Sequence, residues 1–174
     1  MPEKVVFGWS DLNMRKNSLL DKYLLAKPTI SMVIEWPILI CVGIIGTVFS
    51  LQTIPFSPIS NIFGILILVI GLGIHASSHK IHKQAHQQSK RIEKLATEGI
   101  YSHMRHPGYS GLILMYFGFA FSWGIVWILI PAIILVILTI LTAIREEEVM
   151  KEKFRKEYEE YMRRVPWRFI PKVF

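Results

Sequence analysis

The sequence predicts an all-α integral membrane protein of about four transmembrane helices, joined to a cytoplasmic polar region that ends in a C-terminal helix. Three observations predict it. The 52% of residues that are hydrophobic fall in uninterrupted blocks, whereas a soluble core would spread them in amphipathic stripes, and long apolar blocks mark membrane spans. Residues 107–144 carry no formal charge at all. As one helix they would measure about 57 Å, nearly twice the hydrocarbon thickness, so they must fold back as a hairpin. The twenty Lys and Arg all lie within 1–27, 80–105 and 145–172, and the apolar tips near 51–60 and 122–131 have none. That is the positive-inside pattern, with every basic segment on one side of the membrane.

The same placement explains the formal charge of +7. A basic rim facing anionic lipid accounts for it without nucleic acid as a partner. Cys41 is the single cysteine, so no disulfide framework arises. The polar, mixed-charge N-terminus does not resemble a cleavable signal peptide.

Taken in order, residues 1–28 form an amphipathic segment with Leu12, Leu19, Leu20, Tyr23 and Leu24 set among Arg15, Lys16 and Lys22. A helix lying in the interface suits that pattern, and Pro28 ends it. The first transmembrane pair occupies 29–79. Its first span, 30–51, holds Glu35 and Pro37 near the basic end, where the carboxylate can reach water or an arginine. Residues 53–58 make the outer turn. The second span, 59–76, runs on as a polar helix through His79, His82 and His86 to Gly99, a plausible C-terminal glycine. Gly71-Leu72-Gly73 lies inside this span, away from any strand-to-helix turn that could bind a dinucleotide. Residues 80–109 are a cytoplasmic segment, 107–144 the second hairpin with its hinge at Ser122-Trp123-Gly124, and 145–174 a cytoplasmic helix and tail. On that helix Met150, Phe154, Tyr158 and Tyr161 share a face. Pro166 ends it, and Trp167, Phe169 and Phe174 are expected against the membrane.

Chemistry gathers where the polar and apolar parts meet. In Tyr101-Ser102-His103-Met104-Arg105-His106-Pro107-Gly108-Tyr109 two imidazoles, a guanidinium and two phenols stand on a turn stiffened by proline. The fold-back returns Arg145-Glu146-Glu147-Glu148 to this turn. Carboxylates there can accept ribose hydroxyls or attract a sulfonium, and an arginine can grip a carboxylate. Acidic residues opening a helix also answer its dipole without any ligand. His75, His79, His82 and His86 form a ladder on one helix face that could suggest a metal-dependent membrane oxidoreductase. The four spread over about 16 Å, too far for one ion, so the ladder reads as solvated and no metal is assigned. A non-catalytic scaffold with a basic lipid-binding face is the remaining alternative.

The Arg-His-Pro-Gly-Tyr turn, the hairpin, Glu146-Glu147 and then Phe154, Tyr158 and Tyr161 together resemble the isoprenylcysteine carboxyl methyltransferase family and the related phospholipid N-methyltransferases. The resemblance covers roughly 93–170. It implies an integral membrane enzyme that transfers the methyl group of S-adenosylmethionine to a lipophilic acceptor reached through the bilayer, at a cytoplasmic site without a Rossmann domain. It further implies that Glu93, Lys94, Leu95 and Ala96 line the cofactor before the turn, that Tyr101, His106, Pro107, Gly108 and Tyr109 enclose it, and that Glu146 or Glu147 binds it from the last helix. The family often carries an arginine four residues before the first glutamate of the pair. That position is Thr142 here, and Arg145 follows three residues later. Arg145, Glu146 and His106 are the catalytic candidates, the arginine for an acceptor carboxylate and the other two for the proton of an acceptor amine. Gly111 and Gly118 are candidates for a lateral gap that admits the acceptor, or for close helix packing.

Overall fold

The computed structural model describes residues 19–24, 28–81 and 94–173. They form helices α1 (Leu19–Leu24), α2 (Pro28–Val48), α3 (Ile59–Ile81), α4 (Pro107–Trp123), α5 (Leu129–Phe154) and α6 (Lys156–Arg164), with short 3-10 turns at Gly99–Ser102 and Val126–Ile128. The expectations for 1–18, for His82, His86 and Glu93, and for Phe174 lie outside the described residues. Pro28 does not merely end the N-terminal segment. It opens α2 at the first helical position, where its missing N–H costs nothing.

The closest packing joins α3 to α4, and glycines permit it. A Cβ on Gly111 would sit 2.6 Å from the Gly71 carbonyl oxygen, and one on Gly118 would sit 2.5 Å from the Leu68 nitrogen. Gly64 meets the backbone at Ser122 in the same way. Small residues let the two backbones touch, which is how helices associate where no hydrophobic drive operates between them. Gly111 and Gly118 are therefore packing residues, and the lateral gap expected at them is occupied by α3. Gly124 adopts a left-handed φ of 84° and closes α4, as the Ser122-Trp123-Gly124 hinge requires. The chain then returns as α5, with Leu39 of α2, Leu112, Tyr116 and Ala120 of α4, and Ala132 and Leu135 of α5 closing a buried core.

The two apolar tips are stitched to each other. Thr53 and Ile125 form an antiparallel bridge, the Ile54 N–H donates to the Gly124 carbonyl at 2.7 Å, and the Val126 N–H donates to Gln52 at 3.0 Å. Backbone groups in an apolar setting need such partners. The pairing places both tips at one end, away from Arg105, Arg145 and Glu147 at the other. Ile62, Phe63, Leu66 and Val69 of α3 and Ile130, Ile133 and Ile137 of α5 are exposed. Helices 59–80 and 126–154 are long and apolar enough to cross a membrane. The apolar part of α2, 33–48, and the 17-residue α4 are shorter. An apolar flank of this extent is what a bilayer solvates.

Two expectations about helix ends change. Residues 94–98 are not helical, and Gly99, at φ 59°, starts a 3-10 turn. The polar extension of α3 thus stops short of Gly99. Meanwhile α5 passes through Arg145, Glu146, Glu147 and Glu148 without a break and ends only at Arg155, whose φ is 47°. The three glutamates stand mid-helix, so the helix dipole does not explain them.

A carboxylate site at the polar end of the hairpin

The turn before α4 is held from below by the C-terminal tail. The Arg105 and His106 N–H groups donate to the Trp167 and Arg168 carbonyls, both at 2.9 Å, and Ser110 Oγ donates to the Phe169 carbonyl at 2.8 Å. Phe169 is buried and lies 5.9 Å from the His106 ring. It supports the turn instead of resting on lipid. Pro107, fully buried, starts α4 at the position where a helix tolerates a missing N–H.

Glu147 is the hub beneath this turn. Only 2% exposed, its carboxylate accepts from Arg105 Nε at 2.8 Å, from His106 Nε2 at 3.2 Å, and from Arg168 Nε at 3.2 and 3.1 Å. Arg105 also donates to the Val165 carbonyl at 2.9 Å. Burial alone would raise the Glu147 pKa. The His106 hydrogen bond and the charges of His106, Arg105 and Arg168 outweigh it and pull the group down from 4.5 to about 2. So many partners leave no lone pair for a ligand. Of the two glutamates expected to bind cofactor, Glu147 is the one tied into this network. His106 is likewise committed: its Nε2 donates to Glu147 and its ring stacks on Tyr109 at 5.8 Å. It orients the turn.

Above the hub lies a second set of side chains. Tyr109 Oη donates to Glu146 at 2.8 Å, joining α4 to α5. Glu146 is half-buried. Tyr101 approaches from the 3-10 turn, its carbonyl accepting from Tyr161 Oη at 2.8 Å. Burial pushes the Tyr101 phenol up to about 12; a Ser78 hydrogen bond opposes the shift and the Glu146 charge adds to it. Ser78 comes from α3, and so does His75, whose Nδ1 donates to the Gly108 carbonyl at 2.9 Å. In the neutral pair His75 Nε2 then accepts from His79 Nε2, also at 2.9 Å. These two imidazoles brace the turn, so the solvated reading of the ladder fails for them.

The structure thus brings together Tyr101, His106, Pro107, Gly108, Tyr109, Glu146 and Glu147. Leu95 packs against Val149, Met150, Tyr158, Tyr161 and Val165. Ala96 is half-buried and Lys94 exposed. Arg145, buried, bonds Glu148 at 2.9 Å one turn along its own helix. Arg168, Ser78 and His75 were missed as site residues. Nothing local to Arg168 signals its role, because its partner is twenty-one positions away on another element. Ser78 and His75 could have been found from their place at the polar end of a span.

The family model for phospholipid methyltransferase matches residues 59–157. That is more than half of the chain and takes in α3, the turn, α4 and α5 with both glutamates. The chain belongs to the phospholipid methyltransferase family. Over 87 residues it is also 32% identical to a probable 7-dehydrocholesterol reductase of Acanthamoeba polyphaga mimivirus, an alignment covering 48% of this chain and 19% of that protein. The chain therefore matches about a fifth of that relative's length. The family match and the two long apolar helices suggest a membrane protein, and the family is the one the resemblance to phospholipid N-methyltransferases pointed to.

Proposed function

We propose that the chain is an S-adenosylmethionine-dependent methyltransferase of four spans, with both termini and the active site on the cytoplasmic side, that methylates a lipophilic acceptor drawn from the bilayer. The observation that carries this reading is the convergence of Tyr101, Tyr109 and Glu146 at the polar mouth of an apolar hairpin. These residues suit the cofactor. A half-buried carboxylate can accept ribose hydroxyls or face a sulfonium, and phenol rings attract a cation through their faces.

When bound, the cofactor supplies an electrophilic methyl group. The remaining work is done by the chain's own residues. Glu147 fixes the turn, so that Tyr109 presents its hydroxyl to Glu146 from a rigid base. The hairpin excludes water from the apolar side. An acceptor carboxylate such as that of an isoprenylcysteine is ionised at neutral pH and needs only orientation, for which Arg145 is the candidate. A lipid amine must also lose a proton, and Glu146 is the group placed to take it.

Incubating membranes that contain the protein with methyl-labelled S-adenosylmethionine tests the proposal. A label that appears in a lipid or lipidated peptide, and that disappears with Glu146→Gln, is the expected result. The similarity to a reductase supports a second reading, in which the same mouth serves reduction of a lipophilic substrate. Substrate reduced without incorporation of label would favour it.

A further inference from the structure

The tail beyond α6 carries charge and apolar surface that the site above does not use. Residues 161–174 include Arg163, Arg164, Arg168 and Lys172 and no acidic residue. Arg168 is spent on Glu147, whereas Arg163, Arg164 and Lys172 are exposed. Pro171 and Lys172 are the central pair of a β-turn, which the Val173 N–H closes on the Ile170 carbonyl at 3.1 Å. Lys172 stands there at φ 67°, a conformation uncommon for a residue with a side chain. The turn keeps Ile170 and Val173 within about 7 Å of each other. Both are apolar and exposed, at 56% and 70%.

The height of this patch is fixed by α4. Ser110, in the first turn of that helix, donates to the Phe169 carbonyl at 2.8 Å. Ile170 follows directly, so it stands where α4 enters the uncharged stretch 107–144. An isoleucine and a valine at that boundary, beside exposed basic residues, have the composition of a segment that sits among anionic headgroups. The charge order of α6 agrees, with Glu157 and Glu159 at its start and Arg163 and Arg164 at its end, nearest the tail. The helix dipole favours that order too, but it does not account for Lys172, Ile170 or Val173. The same segment grips the turn before α4. The Trp167 and Arg168 carbonyls, three and two positions before Ile170, accept from the Arg105 and His106 N–H groups.

We propose that Ile170 and Val173, with Lys172, Arg163 and Arg164, seat the tail on an anionic lipid leaflet, and that this seating clamps the turn at Arg105 and His106. The clamp depends on the membrane setting and not on the methyl-transfer chemistry, so each can fail alone.

The test uses the full chain in phosphatidylcholine nanodiscs with and without phosphatidylglycerol. Spin labels are placed at positions 160, 170 and 173 in a Cys41-free background. With phosphatidylglycerol, labels at 170 and 173 should be relaxed by oxygen, and the label at 160 by a water-soluble nickel chelate. Arg163→Gln, Arg164→Gln and Lys172→Gln together should remove the effect of phosphatidylglycerol, since each basic residue at such a surface adds about fivefold in partitioning. Hydrogen exchange reads the clamp without any cofactor. Ile170→Ser with Val173→Ser should speed exchange of the Arg105 and His106 amides by roughly tenfold, while amides within 112–120 of α4 stay protected. Should that variant lose protection throughout α4, wild type in the two discs decides. Faster exchange at 105 and 106 without phosphatidylglycerol supports the clamp, and equal exchange overturns it. Nickel relaxation at 170 and 173 overturns the seating, and labels reached by neither reagent overturn it too, because another segment or protein then covers the patch. Equal oxygen relaxation in both discs overturns the anionic leaflet as the partner. Loss of S-adenosylmethionine binding in wild type would count against the methyltransferase reading alone.

Discussion

Arg168 donates to both oxygens of Glu147, at 3.2 and 3.1 Å, from a tail that lies beyond the last helix. The pair closes the C-terminus of the chain over the turn that opens α4. Glu147, Arg105 and Arg168 thus form one network whose members are mostly buried.

Breaking that network should be costly. Glu147→Ala strands Arg105 without its partner in a buried setting, and such losses run to about 3–5 kcal/mol. Chemical unfolding in detergent should show a loss of that order, with Glu148→Ala costing less because the Glu148 side chain is 26% exposed against 2% for Glu147. A Glu147→Ala loss below about 1 kcal/mol would mean that the network is ornamental.

The same group predicts acid sensitivity. Its folded pKa, about 2, is depressed below the ordinary 4.5, so the stabilisation is complete above the ordinary value. It is lost as pH falls from about 4.5 through about 2. Stability of wild type relative to Glu147→Gln, followed across that window, should shrink as acid is added. A constant difference would argue against an ionised hub.

Glu146 should behave differently from its neighbour. Glu146→Gln should weaken S-adenosylmethionine binding by about 1–3 kcal/mol, the range for losing a charged hydrogen-bond partner, and should leave the unfolding midpoint close to wild type. Calorimetry and unfolding on the same preparation separate the two glutamates. If Glu147 variants lost binding while staying fully stable, and Glu146 variants did not, the assignment would be reversed.

Two glycines of α3 and α4 offer a contrast in packing. A side chain at Gly111 runs into the backbone of α3, whereas nothing lies within 4 Å of a Cβ at Gly73. Gly111→Leu should therefore splay the helices and reduce the yield of folded protein, and Gly73→Leu should be tolerated. Size-exclusion profiles and thermal unfolding would show it. Normal stability in Gly111→Leu, with slower turnover of long-chain acceptors only, would restore the lateral-gap reading.

The topology can be tested by single cysteines in a Cys41-free background. Ser57 and Ser122 should take an impermeant label from one side and Met162 from the other. Labelling of positions 57 and 162 from the same side would sink the four-span arrangement.

Much of this was legible along the chain because it depends on local composition. The uncharged run 107–144 had to turn back, and Gly124, the residue that turns it, was already marked by its neighbours. The meeting of Tyr109 with Glu146 followed from the hairpin length alone. Less legible were the ends of α3 and α5. A run of polar residues after an apolar one reads as a new helix, yet α5 continues for 26 residues, since Glu and Lys are themselves good helix formers.

By itself the sequence determined the all-helical class, the order of apolar and charged segments and the identity of the turn, for each is set by hydropathy, charge placement or proline within a short window. Only the tertiary structure decided which glutamate enters the buried network and which stays half-buried at its edge. Glu146 and Glu147 are adjacent and alike in composition, but a helix turns by about 100° between them. One is thereby carried under Arg105, His106 and Arg168, and the other to the hydroxyl of Tyr109.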